Sequence, residues 1–569
     1  IDIRPHKTLP TIIFAVFLYG VGYLASFWFP MGDSINWLPL AFIALLFALD
    51  FLPAWIKNIL SIAGLAYYAY QIIPEQEGLY LIFAFIFLIG GILTLIPGFT
   101  NKGKRIGFYP VTMMMFVGMG MLIEAQSMLE FFFGWELMTA GSYFLIIRGH
   151  RSMPHALSYM LFSLGGAYLI FAAFGISFAD SGNFLMSGLS NMGGLGGIAY
   201  TLLAIGFMTK TASLGLHIWL PGAHAEAESD VSPMVSAILL KAGVLGLIIT
   251  FMAMGGPNNE YTTLPYVLGW LGAITALVGN LAAAFQEDAK RLLAYSSIGQ
   301  LGYILFALAM MTHLGWLTGI GYSLSHFAYK AILFMGIGAV VLRLKTHNMF
   351  EMGGMIKKMP FTFIAVLMGI ITLAGIPPLI GFAGKWLFYN AIIEKGWYFQ
   401  GTIIFFAGII AFLYCFRILY AVFLGQLKDE HRNVKEAPIW YLIPQYLLLL
   451  SIMIFSAKPE WIFQPLGSML APIFPQGQLV WNEGGTAFSD IGYWNGSWVM
   501  YIIGIMFVMI FAWLFIQNRK PKKVKQFNIV YAGEKPERPE TTHMAYNMYS
   551  GYNKALGFIT ANGITTFWN

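Results

Sequence analysis

The chain has 569 residues, of which only 10% are charged and 58% are hydrophobic, with a mean hydropathy of +0.70. Ordinary soluble domains carry roughly 25% charge, so this balance describes a chain solvated by lipid and excludes a string of soluble domains. The formal net charge is +6, but the basic residues sit in short loops between apolar runs instead of along one stripe, which excludes a nucleic-acid-binding face.

The first apolar run, near 9–30, is flanked by Arg4, His6 and Lys7 and ends at Trp28-Phe29-Pro30 without a small-residue cleavage site, so it is expected to stay as a span. Further spans follow near 36–52, 55–73, 78–98, 108–126, 128–148, 155–178, 197–217, 231–254, 263–285, 292–311 and 316–342. Four more lie near 360–394 (broken), 400–424, 439–456 and 497–517. In hydrocarbon a helix satisfies its own backbone hydrogen bonds, and these runs are too long and too uniformly apolar for barrel strands. The expectation is an all-α polytopic membrane protein of about 16 transmembrane helices. Its least defined stretch is 36–73, which also reads as one long bent segment.

Loop charge tests that count, because a missed span would flip the bias of every later loop. Lys57, Lys102 to Arg105, Arg148 with Arg151, Lys290 with Arg291, Arg343 to Lys358, Lys428 to Lys435 and Arg519 to Lys525 all fall on one side. The other side holds little beyond Lys395 and Lys458. Both termini are therefore expected to face the cytoplasm. After 517 a basic start gives way to a polar, Tyr-rich tail, expected to lie on partner proteins or else to be partly disordered.

Two stretches resemble each other at an offset of roughly 171 to 176 residues. HALSYMLFSLGGAYLI from His155 parallels HFAYKAILFMGIGAVV from His326, Lys210 parallels Lys385, and Lys241 parallels Arg417. The loop charges run 108–126 outward and 263–285 inward, so the repeats are expected to be inverted and to form two half-channels. The organisation expected is N-terminal helices over 1–107, a first repeat over 108–254, a second over 263–424, further helices over 425–517 and a cytoplasmic tail over 518–569.

Inside apolar runs stand Glu136, Lys210, Lys241, His326, Lys330 and Lys385. A charge at mid-bilayer depth costs about 2.5–3.5 kcal/mol, so these side chains are expected to face inward, paired or hydrated. His326 and Lys330 are four apart and share a helix face. Lysine suits a proton relay where burial and neighbouring charge bring its two protonation states close in energy. A Glu136–Lys210 pair then acts as a switch that, opened, releases a proton toward Lys241, Lys330 and Lys385. His217 and His224 are candidate proton-uptake groups, with structural loop histidines as the alternative. Glu226, Glu228 and Asp230 read as a solvated loop in preference to an acidic funnel, and Glu124 and Glu130 are open between the same two roles. Pro377-Pro378 and Gly381 to Gly384 before Lys385, and Gly215 with Pro221 after Lys210, point to helices interrupted at membrane depth. With one cysteine, Cys415, and no nucleotide fingerprint or metal-ligand set, no cofactor and no metal are expected.

GWELMT, KTASLGLHIWLPGAHAEA, DAKRLLAYSSIGQLGYI, SHFAYKAILFMGIG and LAGIPPLIGFAGKW resemble the antiporter-like subunits of respiratory NADH:quinone oxidoreductase. The same set is similar to Mrp-type sodium/proton antiporter subunits and to the large membrane subunits of energy-converting hydrogenases and formate hydrogenlyase. The resemblance covers roughly residues 78–455. It implies inverted five-helix repeats with two broken helices, proton transfer by Glu136, Lys210, Lys241, Lys330 and Lys385, and His326 as a central bridge. Ala227-Glu228-Ser229-Asp230 departs from the alanine-proline of many relatives, and Lys385 argues against those with glutamate there. The expected function is a proton-translocating subunit in the prokaryotic inner membrane, partnered by other membrane subunits and a soluble redox arm. The alternatives are the membrane partner of a bicarbonate-uptake complex and a sodium/proton antiporter subunit.

Overall fold

Among the described residues Asn36 caps the first helix by accepting from the Leu38 amide, and Pro53 starts the second, so α1 (Trp37–Ala48) and α2 (Ala54–Ile72) are separate helices across 36–73. Between them Asp50 turns back to pair with the buried Lys57 at 2.6 Å and accepts the Gly107 amide at 2.7 Å. This computed structural model describes residues 36–517 apart from 191, 259, 426, 490 and 491; the expected span near 9–30 and the tail after 517 lie outside the described residues.

The chain continues through α3 (Gly78–Thr100), α4 (Phe108–Glu124), α5 (Met128–Ile146), α6 (Met153–Ser181), α7 (Gly196–Thr211), α8 (Trp219–Glu226) and α9 (Val231–Ala253). Next come α10 (Thr263–Phe285), α11 (Ala289–Ala309), α12 (His313–Leu344), α13 (Pro360–Ala374), α14 (Ile380–Lys395), α15 (Tyr398–Leu424) and α16 (Ile439–Ala457). Helix starts carry the expected chemistry. Ser127 and Glu130 close a capping box on α5, Asp288 accepts two amides at the head of α11, and Thr312 caps α12. Glu130 is thus a structural residue. Among the described residues eight helices are long and apolar enough to cross a membrane: α3, α6, α9, α10, α11, α12, α15 and α16. The chain is a predominantly helical, polytopic integral membrane protein.

Glycine lets helix backbones meet. A Cβ on Gly118 of α4 would lie 2.5 Å from the Met138 nitrogen of α5, and one on Gly279 of α10 would lie 2.5 Å from the Gly299 nitrogen of α11. Lipid gives apolar helices no hydrophobic reason to associate, so close backbone approach at small residues holds both pairs.

Between α16 and the span expected near 497–517, where the sequence predicted no element, the chain is structured. A short helix, α17 (Glu460–Leu470), is followed by antiparallel strands β1 (Val480–Trp481), β2 (Thr486–Ser489) and β3 (Gly492–Asn495), then α18 (Gly496–Gln517). At 11 residues α17 is too short to span, and it buries Phe463, Leu466 and Leu470 along one face.

The acidic loop also differs from expectation. Asp230 is buried, accepting from Arg105 at 2.6 Å and Asn101 at 3.2 Å, while Glu228 takes Arg105 as well and Arg148 at 3.5 Å. A buried Arg105–Asp230 pair, with the partly exposed Glu228 and Arg148 beside it, links the two loops, so Asp230 is not part of a solvated loop. Burial pushes the Asp230 carboxyl up, but the Arg105 guanidinium outweighs it and holds the group below its ordinary 3.8. A depressed carboxylate contributes stability that is fully present above about 3.8 and lost only as pH falls through the lower folded value. Mild acidification to pH 5 therefore leaves the pair intact, whereas Arg105→Ala strands a buried carboxylate and costs about 3 kcal/mol. Thermal unfolding in detergent at pH 7 and 5 checks both.

Candidate functional site

Lys210 lies on the last turn of α7, which stops because Ala212 takes a left-handed conformation at φ 50°. The Thr209 carbonyl exposed by that stop accepts from the Trp219 indole at 3.0 Å, so the chain crosses to α8 without a stranded backbone group. Lys210 is fully buried and donates to Tyr159 at 2.5 Å and Ser163 at 3.0 Å, both on α6. Its ammonium also sits 4.4 Å from the Tyr159 ring centroid and 5.8 Å from that of Trp135. Glu136 and Lys210 feel each other's charge without an ion pair, and one Glu136 oxygen, Oε1, is buried without a hydrogen bond. The switch pair read from the sequence is therefore apart in this structure. Tyr159 and Ser163 hold the lysine instead.

A π-helical turn over Met234–Leu239 precedes Lys241 on α9. Such turns displace a side chain from the regular α register and cluster at functional sites. Lys241 is fully buried and meets Nδ1 of the equally buried His326 on α12 at 2.6 Å. One turn on, Lys330 donates to the Leu293 carbonyl at 2.9 Å and to Ser296, both on α11. Lys241, His326 and Lys330 thus join α9, α11 and α12 in the interior.

Lys385 lies on the second turn of α14, just after the second interruption, between α13 and α14. It is partly buried and donates back to the Ala374 carbonyl at the end of α13. Gly375, at φ +66°, lets the chain turn there, and a Cβ would meet the Lys385 Cδ and lie 2.8 Å from its Cε. Left-handed backbone costs an L side chain about 1–2 kcal/mol, and here the added methyl also occupies the path of the lysine. Gly375→Ala is expected to lower stability by that order and to displace Lys385, with loss of ion movement in vesicles as the readout. Cys415 of α15 lies within Coulombic reach of both Lys330 and Lys385.

The structure gives the two uptake candidates different settings. Nδ1 of His217 accepts the Gly215 amide at 3.2 Å and shapes the turn between α7 and α8. His224 is fully buried, its ring 5.2 Å from Phe334 and within Coulombic reach of Lys290 and Lys330. Lys290, read only as loop charge, is buried and donates to the Ala227 carbonyl at 2.5 Å. His155 and Arg417, matched by the repeat, stand apart from the row: His155 packs on Gly222, and Arg417 donates to the Ala284 carbonyl. Sequence reasoning also missed Tyr159, Ser163 and Ser296, since hydroxyl residues do not stand out in an apolar run. Among the described residues no cluster of three His, Cys, Asp or Glu is arranged to hold a metal ion. An apolar cavity of about 450 Å³ between α3, α12, α16 and α17 has no ionisable lining residue and is not the site.

The family described as NADH:quinone oxidoreductase/Mrp antiporter, transmembrane, matches residues 125–411, half of the chain and all six row residues. The chain belongs to that family. It is 30% identical over 404 residues to hydrogenase-4 component B of Escherichia coli (strain K12), covering 65% of this chain and 59% of that protein. It is 27% identical over 492 residues to a Na(+)/H(+) antiporter subunit of Alkalihalophilus pseudofirmus, covering 78% of this chain and 59% of that protein. The chain thus spans about three fifths of each of these relatives. In fold it is similar to a chain in the membrane-bound sulfane sulfur reductase, an archaeal respiratory membrane complex, with a TM-score of 0.80 and 26% identity over 97% of this chain and 92% of that one.

Proposed function

We propose that this chain is the proton-translocating, antiporter-like membrane subunit of a multisubunit redox-driven ion pump. The observation that carries the reading is the Lys241–His326 contact at 2.6 Å, which joins α9 to α12 with Lys330 one turn further along α12. It would link a first half holding Glu136 and Lys210 to a second holding Lys330 and Lys385. Two five-element units support that division. In 108–254 and in 263–424 alike, the fourth element is broken in two, α7 with α8 and α13 with α14, and a lysine stands at each break. We read these units as inverted repeats within about sixteen spans, counting the apolar run near 9–30. The loop charges favour cytoplasmic termini in a prokaryotic inner membrane. The 518–569 tail would contact partner subunits, and a soluble arm would supply the redox energy.

Glu136 and Lys210 would pair in a second state of the cycle, and opening of that pair, the arrangement in this structure, would let Lys210 pass its proton toward Lys241. Moving one charge against 100 mV costs about 2.3 kcal/mol, a size that breaking one poorly solvated ion pair can supply. Likeness to a Na(+)/H(+) antiporter subunit favours a second reading, in which sodium is carried. Sodium prefers oxygen ligands, and a row dominated by lysine repels cations. Protons are the better cargo.

The test uses inside-out vesicles containing the complete complex, energised by its own electron donor and monitored with a pH-sensitive dye. Acidification collapsed by a protonophore and independent of sodium is expected. Sodium uptake without proton movement would replace this reading with the second.

A further inference from the structure

The surroundings of Gly408, midway along α15, carry an inference that rests on the proton-transport reading and deepens it. A Cβ built on Gly408 would lie 3.5 Å from the Tyr303 hydroxyl, 3.5 Å from the Tyr389 hydroxyl and 3.9 Å from Nζ of Lys385. Three polar atoms from α11 and α14 therefore surround the point on α15 where Gly408 bears no side chain. Their hydrogen-bonding capacity is not exhausted by the protein. The Lys385 ammonium has three N–H donors, of which one goes to the Ala374 carbonyl. The Tyr303 hydroxyl donates to the Ile404 carbonyl at 3.2 Å and, with the Asn280 side chain as a second partner, keeps one acceptor lone pair. The Tyr389 hydroxyl can donate and accept. A buried water needs two to four polar partners, and a molecule set just beyond that Cβ position has three. We propose that Gly408 makes room for an ordered water bridging Lys385, Tyr303 and Tyr389, and that Lys385 exchanges its proton through this water.

The transfer balances simply. An N–H bond of the Lys385 ammonium breaks as an O–H bond forms on the bridging water, which gives one of its own protons to a further water molecule. Lysine is left neutral and the bridging water is restored. The reverse sequence reloads the lysine. A buried tyrosine cluster continues from this point, with the Tyr303 and Tyr322 rings stacked 6.1 Å apart and the Tyr329 hydroxyl donating to Gln300 at 3.3 Å. Water at Gly408 would stand at the lysine end of that cluster.

The test exploits the spacing. At 3.5–3.9 Å an alanine methyl at 408 makes ordinary contacts, so Gly408→Ala should fold without a steric clash, the better helix propensity of alanine offsetting part of what the unpaired polar groups lose. It would nonetheless take the space of the water and leave three polar groups facing a methyl. Proton translocation by the complete complex in vesicles is expected to fall about tenfold or more in Gly408→Ala. Gly408→Ser, whose hydroxyl can stand in for the water, is expected to recover most of it. Radiolytic hydroxyl labelling, which marks side chains beside ordered water, should modify Tyr303 and Tyr389 in the native chain and several-fold less in Gly408→Ala. Undiminished translocation in Gly408→Ala, no recovery with serine, or labelling unchanged by the alanine would each overturn the proposal. Lys385→Ala is run alongside. If it pumps normally the transport reading fails, and the labelling then decides the water site by itself.

Discussion

Lys210→Met abolishes proton translocation, by at least about 100-fold, in a complex that assembles and melts as the native one does. Both halves of this expectation come from the same pocket. Lys210 is wholly enclosed, and its donors reach only the neutral hydroxyls of Tyr159 and Ser163. A buried cation held by neutral partners repays little of its dehydration, so methionine of similar volume is expected to be stability-neutral or better. Tyr159 also keeps the Ser142 hydroxyl at 2.5 Å after the change. Lys210→Arg separates charge from proton exchange, because guanidinium preserves the positive charge but does not give up its proton in a protein. Arginine is expected to be as inactive as methionine. Activity in the arginine variant would mean that the site needs a fixed charge, and the relay would have to be abandoned.

His326→Leu is the second large effect. The imidazole is the hydrogen-bond partner of Lys241, and with the ammonium as donor the ring accepts at Nδ1 and carries its hydrogen at Nε2. Leucine leaves the ammonium enclosed without that acceptor, which costs about 1–3 kcal/mol and lowers the melting temperature. It also removes the group between Lys241 and Lys330, so translocation is expected to stop. Adding Lys241→Met to His326→Leu should restore the melting temperature while leaving translocation at zero. A double variant that remained as unstable as the single one would show that the histidine acts by packing, through contacts such as its ring against Tyr329 at 5.4 Å.

The helices were legible because a span is a local property: about 20 apolar residues bounded by loop charge. The helices from α3 to α16 fall within a few residues of the expected stretches, with one exception: the run expected over 197–217 stops at Thr211 as α7, and α8 (Trp219–Glu226) follows beyond it where no span was expected. The row residues stood out because an ionisable group in an apolar run is conspicuous wherever it points. Their partners were not legible. Nothing local distinguishes Tyr159 from the other tyrosines, and the Arg105 to Asp230 pairing joins residues 125 apart, beyond any periodic pattern. Glu136 and Lys210 could be nominated as a pair, but whether they touch depends on the rotation of α5 and α7, which composition does not encode. The short amphipathic α17 and the small sheet after it fell below the span length that made the rest readable.

The backbone seams at Gly118 against Met138 and Gly279 against Gly299 bear on how loss of transport is interpreted. At these crossings an added methyl forces two main chains apart, an overpacking cost of about 1–3 kcal/mol each. A random screen for inactive variants will therefore return these glycines beside the lysines, although no proton passes through them. Abundance in the membrane sorts the two classes: seam variants disappear from it, while lysine variants accumulate as intact but idle complexes.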